Sequence, residues 1–338
     1  MFTTRAIILA AGLGTRMHSS LPKVLHSLMG HPMVWYALQA VRKATQERPV
    51  MVVGHGAEQV SQAVGNDAEY VLQEHALGTG HAVMQAGPLL RGKSDYVLVT
   101  YADMPLLRTE TMVRLVQRQQ ENPGPMTLLT CIADDHRGFG RIVRDDQGRV
   151  QEIVEDAALT PAQREIRELN MAVYCFRADW LWESLPQIPL SLRGEYYLTD
   201  LVGMAVRAGL AVEALPTDDP VEMVGINTRV HLAEANALLR QRINRQWMLS
   251  GVTLIDPLAT YIEPEVEIGQ DTTVWPGTHL CGKTSIGQAC EIGPNTIVRD
   301  SRIGNRCKIV MSVLEDVILE DDANIGPLVS THGVMGKG

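Results

Sequence analysis

The chain has 338 residues, 45% hydrophobic and 20% charged, the composition of an ordinary globular protein long enough for two domains. Its formal net charge of -9 excludes the basic footprint of a nucleic-acid-binding protein, so any phosphate must be bound locally. No apolar run has the length of a membrane span, and "MFTTRAIILAAG" turns into glycines too early for a signal sequence, so a cytoplasmic setting is expected. The five cysteines form no CxxC pair and the ten histidines no HExxH or HxH spacing, which argues for buried free thiols against a disulfide framework or zinc centre.

The first strand is expected at Arg5–Leu9, running directly into the small-residue turn "AAGLGTRM". Further apolar, β-rich runs follow: "VMVV", "YVLQ", "YVLVTY", "MTLLTCIA", "RVQEIVE" and "ELNMAVYCF". They alternate with helical periodicity, as at Val34, Ala37, Leu38 and Val41 or in "ETMVRLVQRQQ". The alternation predicts an α/β fold, a Rossmann-like, mostly parallel sheet with helices on both faces, whose ligands sit at the carboxyl ends of the strands. From Arg229 to about Met248 the residues Leu232, Ala235, Leu239, Ile243 and Trp247 recur every three or four positions, giving one long helical arm.

After Gly251 the period changes to six, with Ile262, Ile268, Val274, Leu280, Ile286, Ile292 and Val298 in phase. This hexapeptide repeat predicts a parallel β-helix whose aliphatic residues point inward, with about 18 residues per coil and some four coils. The register slips at Ile303, and Val313, Leu319 and Ile325 are expected to resume it. The expected organisation is therefore an α/β domain over 1–228, a helical arm over 229–250 and a short β-helix over 251–338.

The turn after the first strand is the chemical signal. Small residues at Ala11, Gly12 and Gly14 let backbone N–H groups approach an anion that a Cβ would obstruct. The spacing is neither GxGxxG nor GxxxxGK[ST]. Arg16 offers a guanidinium fork for phosphate oxygens and Lys23 a point charge. Asp103 follows "YVLVTY" at a strand's carboxyl end and, on position alone, is also a good turn or capping aspartate. Asn227 precedes the long helix and reads equally as its N-cap. Gln73 carries an amide able to donate and accept, beside Gly78 and Thr79, which allow close backbone approach.

"LAAGLGTRM" with "LPKVLH" resembles the signature of the sugar-phosphate nucleotidyltransferases, and the latter is specifically similar to the N-acetylglucosamine-1-phosphate uridyltransferase family. "LQEHALGTGHA", "YADMPLL", "GFGRIV", "IVED", "GEYYLTD" and "GINTR" follow in order, so the resemblance spans about residues 5–250 and continues into the repeats. It implies a left-handed β-helix, a homotrimer, and Mg²⁺-dependent reaction of UTP with N-acetylglucosamine 1-phosphate to give UDP-N-acetylglucosamine, a cell-envelope precursor, and pyrophosphate. It implies Asp103 and Asn227 as metal ligands, and Arg16 and Lys23 on the phosphates. Leu9, Ala11, Gly12, Gly14, Thr15, Gln73, Gly78 and Thr79 would surround the nucleotide; Tyr101, Gly140, Glu155, Asn170, Tyr197 and Thr199 would hold the sugar phosphate. No nucleic acid or membrane partner is implied.

Three departures bear on the sugar. Ala102 and Ala172 stand where glycine is usual, and Glu155-Asp156-Ala157-Ala158 replaces Glu-His-Lys-Asp. The family's second activity, acetyl transfer, needs a longer β-helix with its own histidine than these coils are expected to provide. Rival readings are a nucleotidyltransferase of other nucleotide or sugar preference, a non-catalytic sugar-nucleotide-binding regulator, and an acyltransferase. The second is disfavoured because Arg16, Lys23, Asp103 and Asn227 are all present.

Overall fold

In the computed structural model, which describes residues 2–333, the first apolar run becomes strand β1 (Thr4–Ala10). Successive side chains point to opposite faces, and Ala6, Ile7, Ile8 and Leu9 are all buried, so the sheet is covered on both sides. It continues with β2 (Val50–Val53), β3 (Glu69–Leu72), β4 (Tyr96–Tyr101), β5 (Met126–Ile132), β6 (Arg141–Arg144), β7 (Val150–Val154), β8 (Glu168–Arg177) and β9 (Val212–Pro216). The order is β9-β5-β8-β4-β1-β2-β3, with β6 joining β8 and β7 joining β6. Strand β1 is parallel to β2 and β4, β2 to β3 and β5 to β9, whereas β8 enters antiparallel between β5 and β4.

Helices α1 (Met33–Thr45), α2 (Ala57–Val64), α3 (Thr79–Gln85), α4 (Thr109–Glu121), α5 (Ala178–Ser184) and α6 (Asp200–Arg207) supply the covering layers. From β1 the chain moves to β2 and β3 on one side, then returns to β4 on the other. That reversal opens a crevice at the carboxyl ends of β1 and β4, the place where such sheets bind ligands. These elements form one compact unit, residues up to His26 together with Pro32–His231.

The second unit joins Ser27–His31 to the chain from Leu232 onward. Helix α7 (Arg229–Leu249) buries Ala235, Leu239 and Asn244, while Ile243 and Trp247 pack against the coil core. The NH₂ group of buried Asn244 donates to the carbonyls of Pro257 at 2.8 Å and Thr260 at 3.0 Å. Ser27–His31 is tied in by the Met29 N–H donating to Asn236 Oδ1 at 3.0 Å and by His31 Nε2, 3.2 Å from Glu265 Oε2.

The repeats form three parallel sheets of a left-handed β-helix, two with five short strands and one with four. Ile262, Val274, Leu280, Ile286, Ile292, Val298 and Ile303 are almost fully buried, as the six-residue period requires. One position differs from expectation. Val313 is 41% exposed and Leu314 fully buried, because Val298 aligns with Leu314 and Ile297 with Val313. The coil shortens along the stack: Ile268 aligns with Ile286, 18 residues on, and Ile303 with Leu319, 16 residues on. All five cysteines are buried and free, and no described helix is long and apolar enough to cross a membrane.

Candidate active site

Strand β1 delivers the chain at Ala10 into an open turn. Gly14 has φ +62°, and a methyl there would lie 2.6 Å from Lys23 Cβ, so the glycine lets the lysine stem pass beside the turn. At Gly12 an added methyl would meet nothing within 4 Å, leaving open space for a ligand. Thr15 and Arg16 lie in the following short turn (Thr15–Met17), where Arg16 is exposed and has no ion-pair partner among the described residues.

Pro22 leads into a second turn (Lys23–Leu25) that aims Lys23 at the crevice. Its ammonium ion-pairs with Asp103 Oδ2 and donates to Asn227 Oδ1 at 3.1 Å. Asp103 follows β4, and its carbonyl accepts the Ile226 N–H at 2.9 Å, which brings the segment carrying Asn227 alongside. Three residues far apart in sequence thus set the Lys23 ammonium between a carboxylate oxygen and an amide oxygen.

A cavity of about 320 Å³ opens here, lined by Leu9, Ala11, Gly12, Lys23, Gln73, Gly78, Thr79, Tyr101, Asp103 and Tyr197, all anticipated from sequence. Ala10, Val24, Ala76, Ala82 and Glu195 complete the lining and were not anticipated. Gln73 is 7% exposed; its Nε2 donates to the Gly78 carbonyl at 3.1 Å and lies 3.0 Å from His81 Nδ1. Gly78 has φ +95°, and a methyl on it would collide with the Tyr196 backbone, 2.6 Å from the carbonyl oxygen. Thr79 Oγ1 accepts the Leu198 N–H at 3.0 Å, and burial pushes the Tyr101 hydroxyl pKa far up.

Gly140, Glu155, Asn170 and Thr199 form a second cluster outside that lining. Thr199 Oγ1 donates to Glu155 Oε1 at 3.1 Å, and the Asn170 N–H donates to the Gly140 carbonyl at 2.9 Å. A methyl on Gly140 would press on Ile153 and the Val154 carbonyl. Surrounding protein atoms raise the Glu155 carboxyl above its ordinary range, the Thr199 bond opposes this, and Asp200 and Asp156 add to it. Asn170 turns inward: it is 4% exposed, its Oδ1 accepts the Ala172 N–H at 3.0 Å and its Nδ2 bonds Tyr174 at 2.8 Å. Of the two alanines at expected glycine positions, Ala102 sits in ordinary backbone geometry and is fully buried, but Ala172 has φ +58° beside a bulge in β8. Glu195, Tyr196 and His81 all lie inside the sequence motifs; only their three-dimensional contacts single them out.

A glycine turn, a lysine, a carboxylate and an amide around a cleft at a sheet's switch point make up an anion-binding site of the kind α/β enzymes use. The sequence profile of the MobA-like NTP transferase domain matches residues 6–245. The bifunctional protein GlmU of Geobacillus sp. (strain WCH70) is 45% identical over 323 residues, 95% of this chain and 70% of that protein. The bifunctional protein GlmU of Geobacillus thermodenitrificans is 46% identical over the same shares, and that of Heliobacterium modesticaldum 43% identical over 97% of this chain and 72% of its own. The chain belongs to the GlmU family of nucleotidyltransferases. A crystal structure of a putative glucose-1-phosphate thymidylyltransferase from Bacillus anthracis, 20% identical, superposes with a TM-score of 0.57 over 70% of this chain and 95% of that one, a likeness of fold.

Proposed function

We propose that the chain joins UTP to N-acetylglucosamine 1-phosphate, releasing pyrophosphate and forming UDP-N-acetylglucosamine. The convergence of Lys23, Asp103 and Asn227 at the mouth of the cavity lined by Gln73 and Gly78 carries this reading. The residues fit a divalent metal: a carboxylate and an amide oxygen already share one cation, and among the described residues no larger group of His, Cys, Asp and Glu competes for it. Asp103 and Asn227 would hold Mg²⁺, which supplies charge neutralisation at phosphate oxygens.

The remaining work is positioning and charge stabilisation. The sugar phosphate is substantially dianionic at neutral pH, so no general base is needed. Lys23 and the amides of Ala11–Thr15 hold the nucleotide phosphates, while exposed Arg16 is free to meet the departing pyrophosphate. Gln73 has its NH₂ committed to Gly78 and His81, and its Oε1 has no partner among the described residues. That oxygen accepts the N3–H of uracil, whereas cytosine offers a bare N3 there. Glu155, Gly140 and Thr199 receive the sugar; Asn170 contributes through its remaining N–H or by shaping the wall.

The family resemblance is what carries the homotrimer reading, and the substrates suit a cytoplasmic setting. Acetyl transfer is not proposed for residues 2–333. Mass-spectrometric detection of UDP-N-acetylglucosamine from UTP, N-acetylglucosamine 1-phosphate and Mg²⁺ tests the reading; absence of the product would contradict it.

A further inference from the structure

We propose that His81 is a positioning residue that fixes which end of the Gln73 amide meets the base; this rests on the reading of Gln73 as the uracil contact. Gln73 Nε2 faces two groups at once, the Gly78 carbonyl at 3.1 Å and His81 Nδ1 at 3.0 Å. On the other side of the imidazole, Gln85 Nε2 lies 3.1 Å from His81 Nε2 and 3.1 Å from the His81 carbonyl. The imidazole also lies nearly parallel to the Tyr196 ring, centroids 6.5 Å apart and planes 28° apart. Tyr196 is itself stitched to the glycine segment, since Gly80 N–H donates to its carbonyl at 2.8 Å and its own N–H donates to the Leu77 carbonyl at 2.8 Å.

The chemistry favours one arrangement. A neutral imidazole has one bare nitrogen and one N–H, so it cannot accept from two NH₂ groups. One glutamine amide must rotate by half a turn, an exchange of O and N that leaves the shape unchanged. For Gln73 that rotation would set Oε1 against the Gly78 carbonyl, two acceptors in a buried place. Rotating Gln85 would likewise bring its Oε1 toward the His81 carbonyl, but Gln85 is half-buried, so its side chain can shift off that carbonyl and water can replace the lost donor, a relief that buried Gln73 lacks. Gln85 therefore turns its oxygen to His81 Nε2–H, Nδ1 is bare, and Nδ1 accepts from Gln73.

Two acceptors, Gly78 O and His81 Nδ1, then oppose any rotation of Gln73, and its oxygen, not its NH₂, is the group left for a ligand of the cavity that Gln73 lines. Without His81 only the Gly78 carbonyl opposes it. A rotated Gln73 would show its NH₂ to the base, the partner that cytosine N3 prefers. His81 thus acts on nucleotide choice through Gln73 and not by touching substrate.

The test compares kcat/KM for UTP and CTP in the wild-type chain and in the Gln73→Ala, His81→Leu and His81→Asn variants, with thermal melting as the control for folding. His81→Met replaces His81→Leu if the latter does not fold. Asparagine can place an acceptor near the position of Nδ1; leucine and methionine cannot. The expected result is a UTP-over-CTP ratio reduced about tenfold in His81→Leu, the effect of roughly one hydrogen bond, and restored to within about threefold of wild type in His81→Asn. Equal losses for both nucleotides, or an unchanged ratio in His81→Leu while Gln73→Ala reduces it, would overturn the role of His81 and leave the Gln73 reading standing. A full ratio in Gln73→Ala would overturn the Gln73 reading and this inference with it.

Discussion

Lys23 donates its ammonium to Asn227 Oδ1 at 3.1 Å, although 204 residues separate the two in sequence. The same ammonium pairs with Asp103, whose side chain is 20% exposed, so the three side chains behave as one electrostatic unit at the crevice. Changing any member alters the charge felt by the others.

Asp103→Asn should keep the fold and lower kcat/KM by at least about a hundredfold, because it removes the one negative oxygen ligand from that unit. Steady-state kinetics over a Mg²⁺ titration, with circular dichroism alongside, checks this. Near-normal turnover at saturating Mg²⁺ would remove Asp103 from the metal site.

Gly78→Ala should be harmful to every nucleotide. Its φ of +95° is glycine territory, and the new methyl would sit 2.6 Å from the Tyr196 carbonyl oxygen, so the segment that orients Gln73 must shift. A loss of about 1–3 kcal/mol in urea unfolding, together with lower kcat/KM for UTP and CTP alike, is expected.

Ala172→Gly should stabilise the chain by about 0.5–1 kcal/mol. Alanine at φ +58° bears a left-handed strain that glycine lacks, partly offset by the greater freedom of glycine when unfolded. Urea midpoints measure the difference; a less stable variant would show that the methyl's packing outweighs the strain.

Glu155→Gln should show a pH-dependent stability difference. Because the folded carboxyl is raised above its ordinary 4.5, the folded state favours the protonated form. Its stabilising contribution is present below that ordinary value and is lost as pH climbs through the raised one. Neutral glutamine escapes this loss, so the variant gains stability relative to wild type between acid and neutral pH. Melting curves at several pH values test it, and a constant offset would refute the sign.

Much of this was legible in the sequence because local pattern decided it. Alternating runs gave the sheet, and a six-residue period gave the coils. Val313 and Leu314 are both aliphatic neighbours, so periodicity could not choose between them; only pairing with Val298 settles that Leu314 points inward. The glycine turn, Lys23 and Asp103 were readable for their chemistry and position. The inward turn of Asn170, the His81 contact to Gln73 and the attachment of Ser27–His31 to the second unit depend on partners distant in sequence or on a local bulge, which spacing does not encode.

The central claim, a uridylyl transfer to N-acetylglucosamine 1-phosphate, is tested most directly by pyrophosphate release from a crossed panel with Mg²⁺. The panel pairs UTP, CTP, dTTP and ATP with the 1-phosphates of N-acetylglucosamine, glucosamine and glucose. The account predicts the highest kcat/KM for UTP with N-acetylglucosamine 1-phosphate, with CTP far behind. A higher value for another nucleotide or another sugar, or no pyrophosphate from any pair, would contradict it.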